Sequence, residues 1–269
     1  MARPISFLSD YGYDDEFAGV CRAVIARIAP DVAVVDLTHG IARHDVGGGA
    51  LVLAAALPYT PPGVHLAVVD PGVGSPRRAL AVRVAIEERI LVGPDNGLLW
   101  PAIERLGGPV EAVDISLSPF RLEPISATFH GRDIFAPVAA NLARGAVLRE
   151  AGDSLDPAEL ERFEPAATRI EPGLVTTPVV RVDRFGNAML GIAEADLPST
   201  GLRLGHPVEV EAASGAREAI YARTFAEVPE GELLVYLDSS GWLALAVNRA
   251  SVVELLGIGA GDEVTLRAE

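Results

Sequence analysis

The first 145 residues alternate short β-branched hydrophobic runs with longer segments whose apolar residues recur at helical spacing. This alternation is typical of strands that are joined by helical crossovers. It predicts strands at residues 5–8, 32–37, 65–69, 80–84, 90–92 and 110–115, and helices at residues 15–28, 46–57, 98–106 and 133–143. Because such crossovers join parallel strands, we expect an α/β domain with a largely parallel central sheet.

A second pattern follows a stretch rich in Pro, Glu and Gly, which runs from residue 151 to 178, includes Glu164-Pro165 and is typical of a connector. Beyond it, Gly, Asn and Asp separate short alternating segments at residues 179–182, 208–211, 233–237, 243–247 and 263–266. Such spacing indicates a small antiparallel barrel or sandwich. We therefore predict an α/β N-terminal domain over residues 1–168 and a smaller all-β, barrel-like C-terminal domain over residues 169–269.

The charge balance narrows the range of partners. Lys and Arg total 22 against 37 Asp and Glu, a formal net charge of −15, which repels nucleic acid and anionic membranes. All the basic residues are arginine, which excludes Schiff-base and P-loop lysines, and the single Cys21 excludes disulfides and Cys-rich zinc sites within one chain. No leader peptide is evident, and the apolar runs fall short of the ~20 residues that span a bilayer. These features predict a cytoplasmic protein.

Polar residues follow the predicted strands of the N-terminal domain, at the sheet edge where open α/β sheets bind ligands. Asp10 and Asp15 follow the first strand, and a carboxylate there suits a ribose diol, an ammonium group or a metal ion. Asp70 ends the third strand, and a Pro-Gly turn returns Arg77 toward it, a geometry that creates a site for an anion or water. Asp95, in a similar turn, is interpreted as a helix cap.

Other polar residues give weaker signals when they are taken singly. His130 stands at a helix entrance between Phe and Gly-Arg-Asp, whereas His65 and His206 are interpreted as structural. The sequence Asp183-Arg184-Phe185-Gly186-Asn187 combines a carboxylate, an aromatic face and an amide, a set that suits an ammonium group and a purine. An ordinary β-turn gives the same pattern. Phe225 and the Asp-Ser-Ser-Gly-Trp segment at residues 238–242 add an aromatic ring and hydroxyl groups.

Six motifs in order resemble those of S-adenosyl-L-methionine (SAM) hydroxide adenosyltransferases, the SAM hydrolases related to fluorinase and chlorinase. They are Phe-Leu-Ser-Asp at 7–10, Val-Asp-Leu-Thr-His at 35–39, Val-Asp-Pro-Gly-Val-Gly at 69–74, Pro-Asp-Asn-Gly at 94–97, Phe-His-Gly-Arg-Asp at 129–133 and Asp-Arg-Phe-Gly-Asn at 183–187. The resemblance implies an N-terminal α/β domain and a C-terminal β-barrel. It also implies a homotrimer whose active sites lie between the N-terminal domain of one subunit and the C-terminal domain of its neighbour.

By the same resemblance, the catalytic set falls on Asp70, Arg77 and His130, and halide-using members carry tyrosine at the position of Asp70. The implied substrate contacts are Asp10 to the ribose hydroxyls, Asp15, Asp183 and Ser239 to the methionine end, and Phe185, Asn187 and Phe225 to adenine. Fluorinase-type sequences have arginine where Ser240 stands here. The methionine carboxylate must therefore be held by Ser239, by backbone groups or by another arginine. His44 aligns with an aromatic residue near the ribose.

The implied reaction is attack of water or hydroxide on the C5′ carbon of SAM, which gives adenosine and L-methionine without a cofactor or metal. Asp70 and His130 orient the water and one of them accepts its proton, while Arg77 stabilises the developing hydroxide. Two alternatives remain open, a halide adenosyltransferase and a nonenzymatic module that binds an adenosyl ligand. A metal-dependent hydrolase that uses Asp10, Asp14, Asp15 and His130 is disfavoured, because no His-x-x-x-His or Glu-x-x-His spacing occurs.

Overall fold

The computed structural model describes residues 2–163 and 167–268, which form two compact units. The first unit lies within residues 2–163 and the second within residues 167–268. The predicted division between residues 168 and 169 stays a prediction, and the Glu164-Pro165 part of the predicted connector lies outside the described residues. In the described part of the chain, no helix is both long enough and apolar enough to cross a membrane.

A seven-stranded sheet forms the centre of the first unit. Its strands in chain order are β1 (Ile5–Ser9), β2 (Val34–Thr38), β3 (Val64–Val68), β4 (Ala79–Val84), β5 (Ile90–Pro94), β6 (Pro109–Asp114) and β7 (Asp153–Leu155). Their spatial order is β2-β1-β3-β5-β4-β6-β7. All six predicted strands are present, with ends that move by up to two residues, and β7 is an additional edge strand.

The sheet is mixed. Strands β2, β1, β3 and β5 run parallel, whereas β4 pairs antiparallel with β5 and β6, and β7 pairs antiparallel with β6. Only residues 85–89 connect β4 to β5. That connection is too short for the crossover of a dozen or more residues that a parallel neighbour requires. The α/β fold class is confirmed, and its parallel half contains β1 and β3, the strands that lead into Asp10 and Asp70.

Helices cover both faces of this sheet. They are α1 (Phe17–Ile28), α2 (Val46–Ala56), α3 (Trp100–Arg105) and α4 (Ala136–Ala143), and a π-helical turn, Gly131–Phe135, precedes α4. Phe7 packs in one core cluster with α1 and α4, while its neighbour Leu8 packs in the other with α2 and α3. Successive strand residues therefore fill opposite cores, as the two-residue period of a β-strand requires.

The second unit is a closed β-barrel. Its strands are β8 (Arg169–Glu171), β9 (Leu174–Val182), β10 (Ala188–Ala193), β11 (Pro207–Ala212), β12 (Gly215–Tyr221), β13 (Leu233–Leu237), β14 (Trp242–Val247) and β15 (Glu263–Ala268). The seven strands from β9 to β15 form the barrel, which closes through the pairing of β9 with β10, and β8 adds to β9. The barrel-like C-terminal fold is confirmed. Two short helices, α5 (Leu197–Thr200) and α6 (Val252–Leu256), connect strands.

Strand β9 begins inside the segment predicted to be a connector. The Thr-Thr-Pro sequence at residues 176–178 indicates a turn, but Val175 and Val179 are fully buried in the barrel core. The burial of these two β-branched side chains outweighs the local turn signal. The connector prediction is therefore wrong for residues 174–178, and also for residues 153–155 and 169–171, which form β7 and β8.

Candidate active site

Three predicted side chains of the first unit meet at the end of β3. The Nε of Arg77 donates to Asp70 Oδ1 at 2.7 Å, and Arg77 Nη2 donates to Asp70 Oδ2. The same Nη2 lies 3.0 Å from His130 Nδ1. The side chains of Asp70 and Arg77 are only 6% and 11% exposed. The structure thus brings together a carboxylate, a guanidinium and an imidazole that are 60 residues apart at their extremes in the printed sequence.

Glycine at position 74 allows this meeting. Gly74 has a φ of +79°, and a Cβ there would overlap the backbone oxygen of Ala127. Only glycine lets the turn after Asp70 approach the segment that leads into His130. The π-helical turn that follows His130 holds Phe135, whose ring lies 5.3 Å from the Arg77 guanidinium carbon. This cation–π contact helps to hold the Arg77 guanidinium in place.

The contact with Arg77 decides which nitrogen of His130 carries the proton. A guanidinium has only N–H donors, so Nδ1 of His130 must accept, and the neutral ring carries its proton on Nε2. Burial lowers the pKa of His130, and the charge of Arg77 lowers it further. The ring is therefore neutral near pH 7, and it presents a donor, Nε2–H, to any ligand.

A cavity of about 450 Å³ adjoins this cluster. Four predicted residues, Asp10, Asp15, Asp70 and His130, line it. Arg77 contacts two of them without being part of the lining. His44, which aligns with an aromatic residue near the ribose, lines the cavity as well. The remaining lining residues are not predicted from the motifs, and they are Tyr11, Phe17, Arg43, Val73, Thr128, Phe129 and Gly131. Most of them lie within two residues of a predicted one, and that proximity is the signal that could have identified them.

One carboxylate oxygen of Asp10 accepts a hydrogen bond from the protein, and the other is available to a ligand. The backbone N–H of His44 donates to Asp10 Oδ2 at 3.0 Å, and His44 adopts a left-handed φ of +65° to do so. Within the described residues Asp10 Oδ1 accepts no hydrogen bond. A free carboxylate oxygen beside a held one suits a pair of hydroxyl donors. His44 thus holds Asp10 through its main chain, and it also lines the cavity.

Aromatic rings form one wall of this cavity. Phe129 packs edge-to-face against Tyr11 and Phe17, with ring centroids 5.9 and 5.1 Å apart. A Cβ at position 131 would overlap the Tyr11 hydroxyl, so glycine is needed there. Burial raises the pKa of Tyr11 well above its ordinary value, so its hydroxyl stays protonated. The wall is therefore apolar apart from one phenol group.

A larger cavity of about 1010 Å³ lies on the barrel unit. All five predicted residues of this unit, Asp183, Phe185, Asn187, Phe225 and Ser239, line it. The structure thus groups the predicted substrate contacts into two cavities, one on each unit.

Asp183 closes the turn that presents Phe185. Its Oδ1 accepts the N–H groups of Phe185 and Asn187 at 2.8 and 3.0 Å, and its Oδ2 accepts Asn187 Nδ2 at 2.8 Å. The segment therefore forms a turn closed by Asp183, as the β-turn interpretation predicts, and the Phe185 side chain is 69% exposed. Asp238 does the same for the next turn, because its Oδ1 accepts the N–H groups of Ser240 and Trp242 at 2.7 and 3.0 Å.

Arg181 is a further residue of this cavity that the sequence reasoning leaves out. In the strand ladder it pairs with Met189, and Met189 pairs with Ala244. The residues next to them along the strands, such as Leu190 and Leu245, fill the barrel core. Because successive side chains of a strand point to opposite faces, Arg181, Met189 and Ala244 lie on the outer face of the barrel. Arg181 is half-buried and forms no hydrogen bond or ion pair with any residue of ranges 2–163 and 167–268.

The surroundings of Arg181 are polar. Asp183, Asp238 and Tyr236 line the cavity together with Arg181. Burial raises the pKa of Tyr236 to about 12, and the charges of the two aspartates contribute. Nowhere among the described residues do three or more His, Cys, Asp or Glu side chains cluster in a way that would hold a metal ion.

Comparison with known proteins places these two units in a family. The models of the SAM hydroxide adenosyltransferase N-terminal and C-terminal domains match residues 5–152 and 177–265. The chain is 45% identical over 266 residues to an (R)-S-adenosyl-L-methionine hydrolase of Salinispora arenicola, which covers 98% of this chain and 97% of the relative. It is 30% identical over 296 residues to a fluorinase of Nocardia brasiliensis, and this match covers 98% of this chain and 97% of the fluorinase.

A solved structure shows the same architecture. The crystal structure of an uncharacterized conserved protein from Thermotoga maritima matches with a TM-score of 0.89 and 36% sequence identity, and the match covers 97% of this chain and 99% of that one. An α/β unit that carries an Asp-Arg-His cluster, followed by a closed barrel, defines the class. The chain belongs to the SAM hydroxide adenosyltransferase family, and the resemblance drawn from its motifs is confirmed.

Proposed function

We propose that this protein hydrolyses SAM to adenosine and L-methionine through attack of water on the C5′ carbon. The observation that carries the proposal is the contact of Arg77 with both Asp70 and His130 beside a cavity that also holds Asp10. The relative from Salinispora arenicola, whose name is that of a SAM hydrolase, supports the same reaction. No cofactor is required, because SAM itself supplies the leaving group.

The hydrogen bonds of the cluster support different tasks for the two candidate bases. His130 has its proton on Nε2, so it holds the attacking water by donating to the water oxygen. Asp70 keeps lone pairs that Arg77 does not occupy, so it accepts the proton as the new C–O bond forms. Arg77 fixes both groups and stabilises the negative charge that develops on the water oxygen. Methionine leaves as a neutral thioether, so the site needs no general acid.

The substrate contacts complete the proposal. Asp10 takes the ribose hydroxyls and Asp15 contacts the methionine end, while Phe185, Asn187 and Phe225 contact adenine. Each cavity contains only part of this set, since the reacting groups line one and the exposed rings line the other. The proposal includes the homotrimer that the resemblance implies, in which the first unit of one subunit and the barrel unit of its neighbour together bind one SAM molecule. A cytoplasmic location also stays a prediction.

The test is incubation of the purified protein with SAM in ¹⁸O-labelled water, followed by mass analysis of the products. Attack on C5′ predicts adenosine that carries ¹⁸O in its 5′-hydroxyl, together with unlabelled methionine. Parallel reactions contain chloride or fluoride, and a 5′-halo-5′-deoxyadenosine product would instead support the halide adenosyltransferase. Binding of SAM without any product over several hours would support the nonenzymatic module. Either of these two results would reject the hydrolase proposal.

The methionine carboxylate is best assigned to Arg181. This guanidinium lines the same cavity as Ser239 and has no ionic partner among the described residues. We expect Arg181→Met to raise the KM for SAM by about 10- to 100-fold, because a hydrogen bond to a charged group contributes roughly 1.5–3 kcal/mol. The dissociation constant for adenosine, which lacks the carboxylate, should stay unchanged. The control is Arg217→Met, which removes an exposed arginine of β12 outside the cavity. Equal KM values in the two variants would contradict the assignment.

The activity should fall on the acid side as His130 gains a proton. Its pKa lies below the ordinary value of about 6.5, so the neutral form, and the stability that it contributes, are fully present above that value. Both are lost as the pH falls through the lowered pKa, because a proton on Nδ1 would oppose the N–H of Arg77. We expect kcat/KM of the wild type to show this acid limb. His130→Asn should be less active and lack the limb, and an identical limb in this variant would exclude His130 as its source.

A further inference from the structure

A buried polar chain lies beneath the turn that carries Asp10. Ser9 Oγ lies 2.7 Å from His39 Nδ1, and both residues are at most 1% exposed. The backbone N–H of Tyr11 donates to the same Ser9 oxygen at 3.2 Å. The backbone oxygen of His39 accepts the N–H of Gly12 at 2.8 Å. The side chain and the main chain of His39 therefore both contact the segment of residues 9–12.

The far side of the His39 ring faces a carboxylate. His39 Nε2 lies 3.4 Å from Asp36 Oδ1. Both are buried side-chain atoms without a hydrogen-bond partner among the described residues, so they face each other at a distance longer than that of a well-formed hydrogen bond. Asp36 is in turn held by Arg22, whose Nη1 donates to Asp36 Oδ2. Because buried polar atoms are almost always paired, the Nε2–H of a neutral His39 belongs to this carboxylate.

Protonation follows from the same contacts. With its proton on Nε2, the ring accepts a hydrogen bond from the Ser9 hydroxyl at Nδ1. The Ser9 oxygen is then free to accept the backbone N–H of Tyr11. Burial lowers the pKa of His39, against the opposing influence of Asp36, so the neutral ring is maintained. A continuous chain then runs from Arg22 through Asp36 and His39 to the backbone next to Asp10.

We propose that His39 is a positioning residue that holds the Asp10 carboxylate in place for the ribose hydroxyls. This inference rests on the proposed function, in which Asp10 binds the ribose. His39 does not line the cavity, so it acts only through the backbone of residues 9–12. The proposal gives a role to both polar ends of the Val-Asp-Leu-Thr-His motif, which the assigned catalytic residues leave unused.

The molecule contains a matched control for this proposal. Ser6 precedes Ser9 by three residues on the same strand. Its Oγ lies 2.8 Å from His65 Nδ1, and His65 is also only 1% exposed. The Ser6–His65 pair is likewise a buried serine oxygen against an imidazole Nδ1, although His65 Nε2 faces the Arg89 guanidinium at 3.4 Å rather than a carboxylate. Among the described residues, no hydrogen bond joins the side chains of this pair to residues 9–12. Either removal takes one buried serine–histidine contact out of the core, and only removal of the Ser9–His39 contact should affect Asp10.

The experiment compares His39→Leu with His65→Leu, and Ser9→Ala with Ser6→Ala. If a histidine variant does not fold, the comparison of the two serine variants still tests the proposal. Hydrogen exchange of the peptide over residues 9–13 should speed up in His39→Leu and Ser9→Ala only. The preference for adenosine over 2′-deoxyadenosine, measured by calorimetry, should fall about tenfold in the same two variants. His39→Asn, which keeps an acceptor near Ser9, should restore most of that preference.

The outcomes separate this proposal from the proposed function. If the wild type prefers adenosine and the His39 and His65 variants lose that preference equally, His39 has only a structural role and the proposal is overturned. Unchanged preference in both His39→Leu and Ser9→Ala overturns it as well. If the wild type binds adenosine and 2′-deoxyadenosine equally, the ribose role of Asp10 in the proposed function fails, and the positioning role fails with it.

Discussion

Asp70→Asn should still bind adenosine but turn over SAM about 10²- to 10⁴-fold more slowly than the wild type, the range that general-base catalysis contributes. The amide oxygen of asparagine can still accept a hydrogen bond from Arg77, so the cluster keeps most of its geometry. An amide cannot accept a proton from water at neutral pH, so the chemical step loses its base. Single-turnover rates with excess enzyme give the rate of the chemical step, and calorimetry gives the affinity for adenosine.

The neighbouring pair of Asp95 and Arg78 supplies the control. Arg78 Nε donates to Asp95 Oδ2 at 2.7 Å, and the Asp95 side chain is 2% exposed. Asp95 Oδ1 also accepts the N–H of Glu161, so this carboxylate has a structural role. Asp95→Asn should therefore lower the unfolding free energy without a comparable loss of rate. A rate in Asp70→Asn that matches the rate in Asp95→Asn would show that Asp70 is not the base.

The strands that the sequence predicts correctly are those with a strong hydrophobic signal of their own. β1, β3 and β5 lie in the interior of the sheet, where both faces are covered, so their residues form continuous apolar runs. β12 gives no such run, because residues 215–218 are exposed on the barrel. It is a strand because its neighbours β11 and β13 pair with it. That pairing is a tertiary effect which a local pattern does not contain.

For the site residues too, some properties follow from the local sequence and others only from the fold. Motifs identify Asp70, Arg77 and His130, since each stands in a distinctive local sequence. Which ring nitrogen of His130 carries the proton depends on its contact with Arg77, 53 positions away, so only the structure indicates it. Arg181 is similar, because the register of β9 and β10 decides that it faces the cavity rather than the core. Local sequence therefore predicts which groups are present, and the fold determines which protonation states and faces they take.

Arg77→Met should be the most damaging single substitution at this site, with a loss of about 3–5 kcal/mol in the unfolding free energy. The side chain of Asp70 is only 6% exposed, and removal of its guanidinium partner leaves a buried carboxylate without a counter-charge. Asp70→Asn/Arg77→Met removes the charge as well, so it should recover most of the lost stability. Urea unfolding curves of the wild type, both single variants and the double variant measure these differences.

The double variant also separates stability from catalysis. If Arg77 and Asp70 were only a structural ion pair, recovery of the unfolding free energy would bring back the turnover of SAM. We expect no such return, because the double variant lacks both the proton acceptor and the group that fixes His130 Nδ1. A stable double variant with wild-type turnover would contradict the catalytic assignment of both residues. A stable and inactive one would show that this buried pair is retained for its chemistry, since uncharged side chains would then meet the needs of the fold.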